Sequence, residues 1–247
     1  MPKKKRGAKK SEEPIIYIAN PQKAGLRTPP ADAHGLVIPN GSFSCFIGGV
    51  GSGKTLCACN VIGRTASWLP YEHIYLSTPC NEATQKGEYA LLKTKLFENN
   101  RIPPLKFWAD KPGHSLVILD DLSLTPSTRK DKEDGLSQRD RLDRLCGHVR
   151  SHHSDGLDIM CMQQQLIAVP TSLRRLVSHW FLFPSRIDMG SLHTIARSVM
   201  INKRTLEALF RMCIELGPYT FLLVEQAKLP TRARVRINGV TPVPGIN

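Results

Sequence analysis

No apolar run in this 247-residue chain is long enough to cross a bilayer. The longest, SLVILD (115–120) and FLLVE (221–225), fall far short of the ~20 residues that a spanning helix needs. The basic start runs into Ser-Glu-Glu-Pro instead of an apolar stretch, so no secretory leader is expected and the chain reads as soluble and intracellular. Metal-site spacing is missing as well. Seven cysteines are scattered, Cys45, Cys57, Cys59, Cys161 and Cys213 among apolar neighbours, which reads as reduced, buried thiols. Cys146, His148, His152 and His153 cluster, but a zinc site needs a second, separate half and none follows, so a structural or phosphate-facing role is expected. No internal repeat is present, which excludes a solenoid or propeller.

Acidic residues are also scarce. Asp and Glu number 21 against 34 Lys and Arg, a net charge of +13 with a pI near 9.6. The first ten residues hold six of the positive charges, and +13 less six leaves +7, so the body is basic too. An excess of this kind favours a polyanionic partner, of which nucleic acid is the usual one. Residues 1–13 form a charged arm without core residues, expected to be disordered. Its PKKKR (2–6) reads as a nuclear localisation signal or a flexible DNA-contacting arm, with nuclear import favoured.

What the chain does have is alternation. Residues 14–40 are proline-rich and read as a covering segment. Strands are expected over 42–48, 73–77, 115–120, 158–162, 179–183 and 219–225, and helices over 54–66, 90–99, 136–152 and 205–213. A polar loop covers 126–135, and the Pro- and Arg-rich tail 229–247, which includes TRARVR (231–236), has no clear element. Strands alternating with helices predict an α/β fold with a mostly parallel central sheet flanked by helices. The main domain is expected over 41–228.

Directly behind the first strand lies GGVGSGKT: Gly48, Gly49, Val50, Gly51, Ser52, Gly53, Lys54 and Thr55. It matches GxxxxGK[ST] at every fixed position, with a strand before it and a helix after it. The glycines let the backbone N–H groups turn inward around phosphates, and the helix N-terminus adds its positive dipole end. Lys54 reaches the β- and γ-phosphates, and the Thr55 hydroxyl ligates Mg2+. The buried strand SLVILD then ends in two acids. Asp120 is expected to hold the metal through water, and Asp121 to orient or deprotonate the attacking water. Together these Walker A and Walker B elements point to ATP hydrolysis.

The strand over 158–162 runs into Gln163, Gln164 and Gln165. A polar side chain at such a tip can touch the γ-phosphate and the lytic water, but on these residues alone a plain polar loop is the favoured reading. Arg139, Arg141, Arg144 and Arg150 stud the preceding helix, and Arg174 and Arg175 follow the strand. For any single one, a solvated or DNA-facing surface is favoured over a finger reaching a neighbouring subunit, a role worth ~10³ or more in rate.

The ordered set resembles the poxvirus-type genome-packaging ATPases of the FtsK–HerA superfamily. The set comprises the Walker A loop, a Walker B ending in Asp-Asp, a basic helix ending in an Arg/His-rich segment (148–153), and a buried strand ending in Gln. Pro170-x-x-x-Arg174 and an apolar strand over 179–183 complete it. The resemblance covers 43–183, and the Gln-to-Pro-x-x-x-Arg segment is its specific part. It implies Gln164 as the sensor, with Gln163 the fallback in register, and Arg174 as a trans-acting finger. It further implies a homo-oligomeric ring of five or six subunits, pumping double-stranded DNA into a preformed capsid, with ATP and Mg2+ as cofactors. A capsid or portal-vertex protein is then a partner, and the PKKKR signal places assembly in a host nucleus. A helicase or DNA-remodelling ATPase would share every P-loop feature, a nucleoside or nucleotide kinase would need an acceptor pocket, and a nuclear DNA-binding adaptor would bind without turnover. Arg129, Lys130 and Lys132 in the loop after Walker B are candidate DNA or subunit contacts, or solvated charges balanced by Asp131, Glu133 and Asp134.

Overall fold

The computed structural model describes residues 36–78, 89, 92, 94–97, 101–109, 111–121, 135–150, 155–184, 187–226, 234–239 and 241–243. The α/β expectation is met. A sheet of nine strands runs in the order β3-β2-β4-β5-β1-β6-β7-β8-β9. In chain order these are β1 (Phe43–Ile47), β2 (His73–Ser77), β3 (Lys95–Leu96), β4 (Ser115–Asp120), β5 (Leu157–Gln163), β6 (His179–Leu182), β7 (Leu222–Glu225), β8 (Arg234–Ile237) and β9 (Thr241–Pro242). The pairs from β3 to β6 are parallel, and those from β6 to β9 are antiparallel. The helices are α1 (Lys54–Trp68), α2 (Leu105–Ala109), α3 (Gln138–Arg144), α4 (Thr171–Arg174), α5 (Met189–Ser198) and α6 (Lys203–Leu216).

Period-two alternation splits the core into two layers. From β1, Phe46 faces a layer with Ala58, Val61 and Ile62 of α1, Met160 and Met162 of β5, and Phe181. Phe43, Cys45 and Ile47 face the opposite layer, built with Leu142 of α3, Ile195 of α5 and Leu206, Phe210 and Cys213 of α6. Because both faces are covered, the central strands are buried along their whole length, which is why they read as continuous apolar runs. Leu36 and Ile38, at the end of the proline-rich segment, pack into the α1 layer, and the Ile38 N–H donates to Thr65 Oγ1 at 3.2 Å.

Three expectations change. Where a helix is expected over 90–99, the described residues hold a 3-10 position at Leu92 and the two-residue strand β3, and Phe97 just after it stacks on Tyr75 and meets Trp108 edge-on. Tertiary packing of that aromatic cluster overrides the local helical preference. The tail left without an element carries β8 and β9, where Arg236 pairs with Glu225 of β7 at 3.3 Å. The helix read over 136–152 starts at a capping box between Ser137 and Asp140 and passes into a π-helical turn over 145–149. Residues 151–154 lie outside the described residues, as do the arm, Arg129, Lys130 and Lys132.

Candidate functional site

β5 is inserted between β1, which leads into the glycine loop, and β4, which ends in the two acids. All three strands are parallel, so the loop, the acids and the glutamines meet at one C-terminal edge, where ligands bind in open α/β sheets. Backbone hydrogen bonds lock the three tips together. Gly48 N–H donates to the Gln163 carbonyl at 3.1 Å, and Asp121 N–H donates to the Met162 carbonyl at 3.0 Å.

The glycines are required by geometry at two points. A Cβ on Gly48 would lie 2.6 Å from the Phe183 Cβ and 2.9 Å from the Ser52 hydroxyl, so no side chain fits there. Gly53 takes φ 89° as the N-cap of α1. That cap makes no side-chain hydrogen bond, and the first turn of α1 holds no acid. The N–H groups at the start of this 15-residue helix therefore have no side-chain acceptor, the condition for holding an anion. Ser52 Oγ, in a residue only 4% exposed, finds no hydrogen-bond partner among the described residues.

Lys54 is buried, and its ammonium donates to the Gly48 and Gly49 carbonyls at 2.7 and 2.8 Å. Burial lowers its pKa, and the charges of Asp121 and Asp120 oppose that shift. Asp121 is exposed and sits in the left-handed region at φ 48°, a conformation costly for a residue with a Cβ. Its carboxylate accepts from Gln164 Nε2 at 2.9 Å. Gln163 points elsewhere: it is buried, with its amide 3.9 Å from Cys161 Sγ. Gln165 is exposed. Of the three glutamines, Gln164 is the one beside Asp121.

The sequence reading missed Tyr89. Its ring is buried, and its hydroxyl donates to Asp120 Oδ2 at 2.8 Å and reaches the Thr55 hydroxyl. Burial, then the Asp120 charge, push its pKa far above the ordinary phenol value, so it remains a donor. The tyrosine thus ties together the two side chains expected to hold a metal. No pattern in its sequence neighbourhood marks it.

The arginines separate. Arg141 is buried and donates to the Ile102 carbonyl at 3.0 Å, and Arg150 donates to the carbonyls of Cys146 and Gly41. These two anchor the backbone. Arg139 and Arg144 are exposed. Arg174, on α4 beyond the β5 tip, spends its Nε on the Val169 carbonyl at 2.8 Å, whereas Arg175 is exposed. Cys146 is a buried thiol with its pKa raised by burial.

Two properties make this edge fit a nucleotide triphosphate with Mg2+: a cradle that a Cβ would fill, lined by an orphaned hydroxyl, and a hydroxyl–carboxylate pair at its end. The fold is that of a P-loop ATPase. The DNA-packaging ATPase B204 of Sulfolobus turreted icosahedral virus superposes with a TM-score of 0.53 at 14% identity, over 83% of this chain and 98% of that one. B204 of Sulfolobus turreted icosahedral virus 2, in complex with ATP-gammaS, gives 0.49 at 13% identity over 79% and 95%. The cytoplasmic domain of the Type VII secretion ATPase EccC of Thermomonospora curvata gives 0.49 at 14% over 82% of this chain and 26% of that one. At such identities the likeness is one of fold. No protein-family model matches the chain, and no curated protein does.

Proposed function

We propose that the chain is an ATP-driven motor that moves double-stranded viral DNA into a preformed capsid, a genome-packaging ATPase of the FtsK–HerA superfamily and of its poxvirus type. The observation that carries the reading is the 2.9 Å hydrogen bond from Gln164 to Asp121, made at the tip of a strand inserted between the glycine loop and the acids. That arrangement couples the hydrolytic carboxylate to a side chain able to sense the γ-phosphate. The fold shared with B204 supports the choice among P-loop ATPases. The charge of +13 supports a DNA partner.

In this reading the loop N–H groups hold the phosphates, and Lys54 moves its hydrogen bonds from the Gly48 and Gly49 carbonyls to phosphate oxygens. Thr55, and Asp120 through water, would hold Mg2+, which would supply charge neutralisation at the phosphates. Tyr89 orients the Asp120 carboxylate, as outer partners of metal ligands do. Asp121 takes the proton of the attacking water, and Gln164 positions that water. Arg174 or the exposed Arg175 reaches the neighbouring subunit in a five- or six-membered ring. A portal-vertex or capsid protein completes the assembly, and PKKKR directs it to a host nucleus.

ATP hydrolysis by the purified chain, with and without duplex DNA, tests this. Turnover is expected to rise with DNA and to vanish in Lys54→Ala and Asp121→Asn. Turnover indifferent to duplex DNA would overturn the motor reading. A helicase shares the same site, and separation of forked duplexes would favour it.

A further inference from the structure

The two flanks of the glycine loop differ in chemistry. Toward β5 and β4 lie Asp120, Asp121 and Gln164. Toward β6 and β7 the loop rests on aromatic rings. Phe183 backs Gly48, Phe183 and Phe221 lie 5.2 Å apart between centroids, and Phe181 tilts against Phe221 at 5.8 Å. At the outer end of this aromatic flank is Tyr219. It is 72% exposed, and its Cδ1 lies 3.4 Å from where a Cβ on Gly53 would stand.

An exposed aromatic ring is not unusual in itself, but here its position is held from both sides. Tyr219 is itself the third residue of the turn Gly217 to Thr220, closed by Thr220 N–H donating to the Gly217 carbonyl at 3.2 Å. Phe221, directly after it, exchanges backbone hydrogen bonds with Asn238, through its N–H to Asn238 Oδ1 at 3.0 Å and its carbonyl from Asn238 N–H at 2.9 Å. The backbone that carries the ring is therefore fixed beside the last glycine of the loop. Three residues along α1 from Gly53, on the adjoining surface, Leu56 is 60% exposed.

A triphosphate in such a loop has one orientation. Its β- and γ-phosphates go to Lys54, Thr55 and the acids, so the α-phosphate, ribose and base leave by the opposite flank. We propose that Tyr219 is the stacking platform for the base of a bound purine nucleotide, with Leu56 beside it as an apolar edge. The face of the ring supplies the contact, and the ring stands at van der Waals distance from the last glycine of the phosphate cradle. This deepens the nucleotide reading and rests on it. The orphaned, buried Ser52 hydroxyl within the same loop points independently to a ligand there.

The test compares Mg2+–ATP with Mg2+–tripolyphosphate, which has the phosphates and no base. Calorimetric Kd values are measured for the full chain and for Tyr219→Ala and Tyr219→Phe. Stacking of a base on an aromatic side chain predicts about a tenfold weaker ATP Kd in Tyr219→Ala and near-wild-type binding in Tyr219→Phe. Tripolyphosphate affinity is expected to be equal in all three. Unchanged ATP affinity in Tyr219→Ala overturns the platform and leaves nucleotide binding standing. Equal loss of ATP and tripolyphosphate also overturns it, since Tyr219 would then be shaping the loop. A wild-type chain that binds neither probe overturns the nucleotide reading, and the platform falls with it.

Discussion

Asp158 and Asp121 lie at opposite edges of the same parallel sheet and live under opposite conditions. Asp158, near the start of β5, is fully buried and accepts from three donors: Ser42 N–H at 2.8 Å, the Tyr71 hydroxyl at 3.0 Å and His114 Nε2 at 3.1 Å. Burial, with the Asp158 charge, pushes the Tyr71 pKa well above the phenol range and keeps it a donor. Asp121, just beyond β4, is exposed and backbone-strained, with one side-chain donor given by Gln164. A buried carboxylate with its hydrogen bonds filled serves the fold. A carboxylate kept open to solvent on a strained backbone is set up for chemistry.

Removing the carboxylate charge at each position separates the two roles most widely. Asp121→Asn is expected to cut ATP turnover by about 10³-fold, within the range for loss of a positioned base, and to leave the unfolding midpoint in place. Asp158→Ala is expected to cost about 3 kcal/mol by denaturant titration, because it strands three buried donors, while nucleotide affinity in the surviving folded fraction is unchanged. If Asp158→Ala abolished turnover without loss of stability, the contrast between the edges would be wrong.

His179 sharpens the comparison from the side of β6. It is buried, and burial lowers its pKa to about 4 from 6.5, while its Nδ1 lies 2.9 Å from Ser178 Oγ. The unfolded chain then takes up a proton between pH 6.5 and 4 that the folded chain refuses, so stability falls as pH drops through that window. From pH 7 to pH 5 the loss is about 2 kcal/mol. Urea midpoints at the two pH values, measured beside His179→Asn, check this: the variant is expected to lose that part of the pH dependence. The smallest effect is expected from Gln164→Ala, about a tenfold drop in kcat with ATP Kd unchanged, since the proposed mechanism uses Gln164 on water and not in ground-state binding. An equal change in Kd would remove it from the hydrolytic side of the site.

Much of this was legible in order along the chain. Residues 48–55 carry a local pattern whose geometry depends on near neighbours alone, and the apolar runs ending in Asp120 and Gln163 mark strands buried on both faces. The α/β class and the rough positions of the six central strands follow from them. Less legible were β3, β8 and β9, because strands of two to four residues have too few residues to show a period and exist only where a neighbour offers its ladder. Arg141 shows the same limit, since its sequence neighbourhood is that of an exposed basic helix and only the Ile102 carbonyl makes its burial affordable.

The sequence by itself determined the glycine loop, the two acids at the end of β4, the mostly parallel α/β class and the basic charge, because each rests on local spacing or on composition. Tertiary structure alone decided that β5 stands between β1 and β4, that Gln164 and not Gln163 meets Asp121, that Tyr89 joins Asp120 to Thr55, and that Tyr219 stands against Gly53. The physical reason is contact order. These pairs are brought together by the strand order of the sheet, and strand order is settled by packing between elements far apart in the chain.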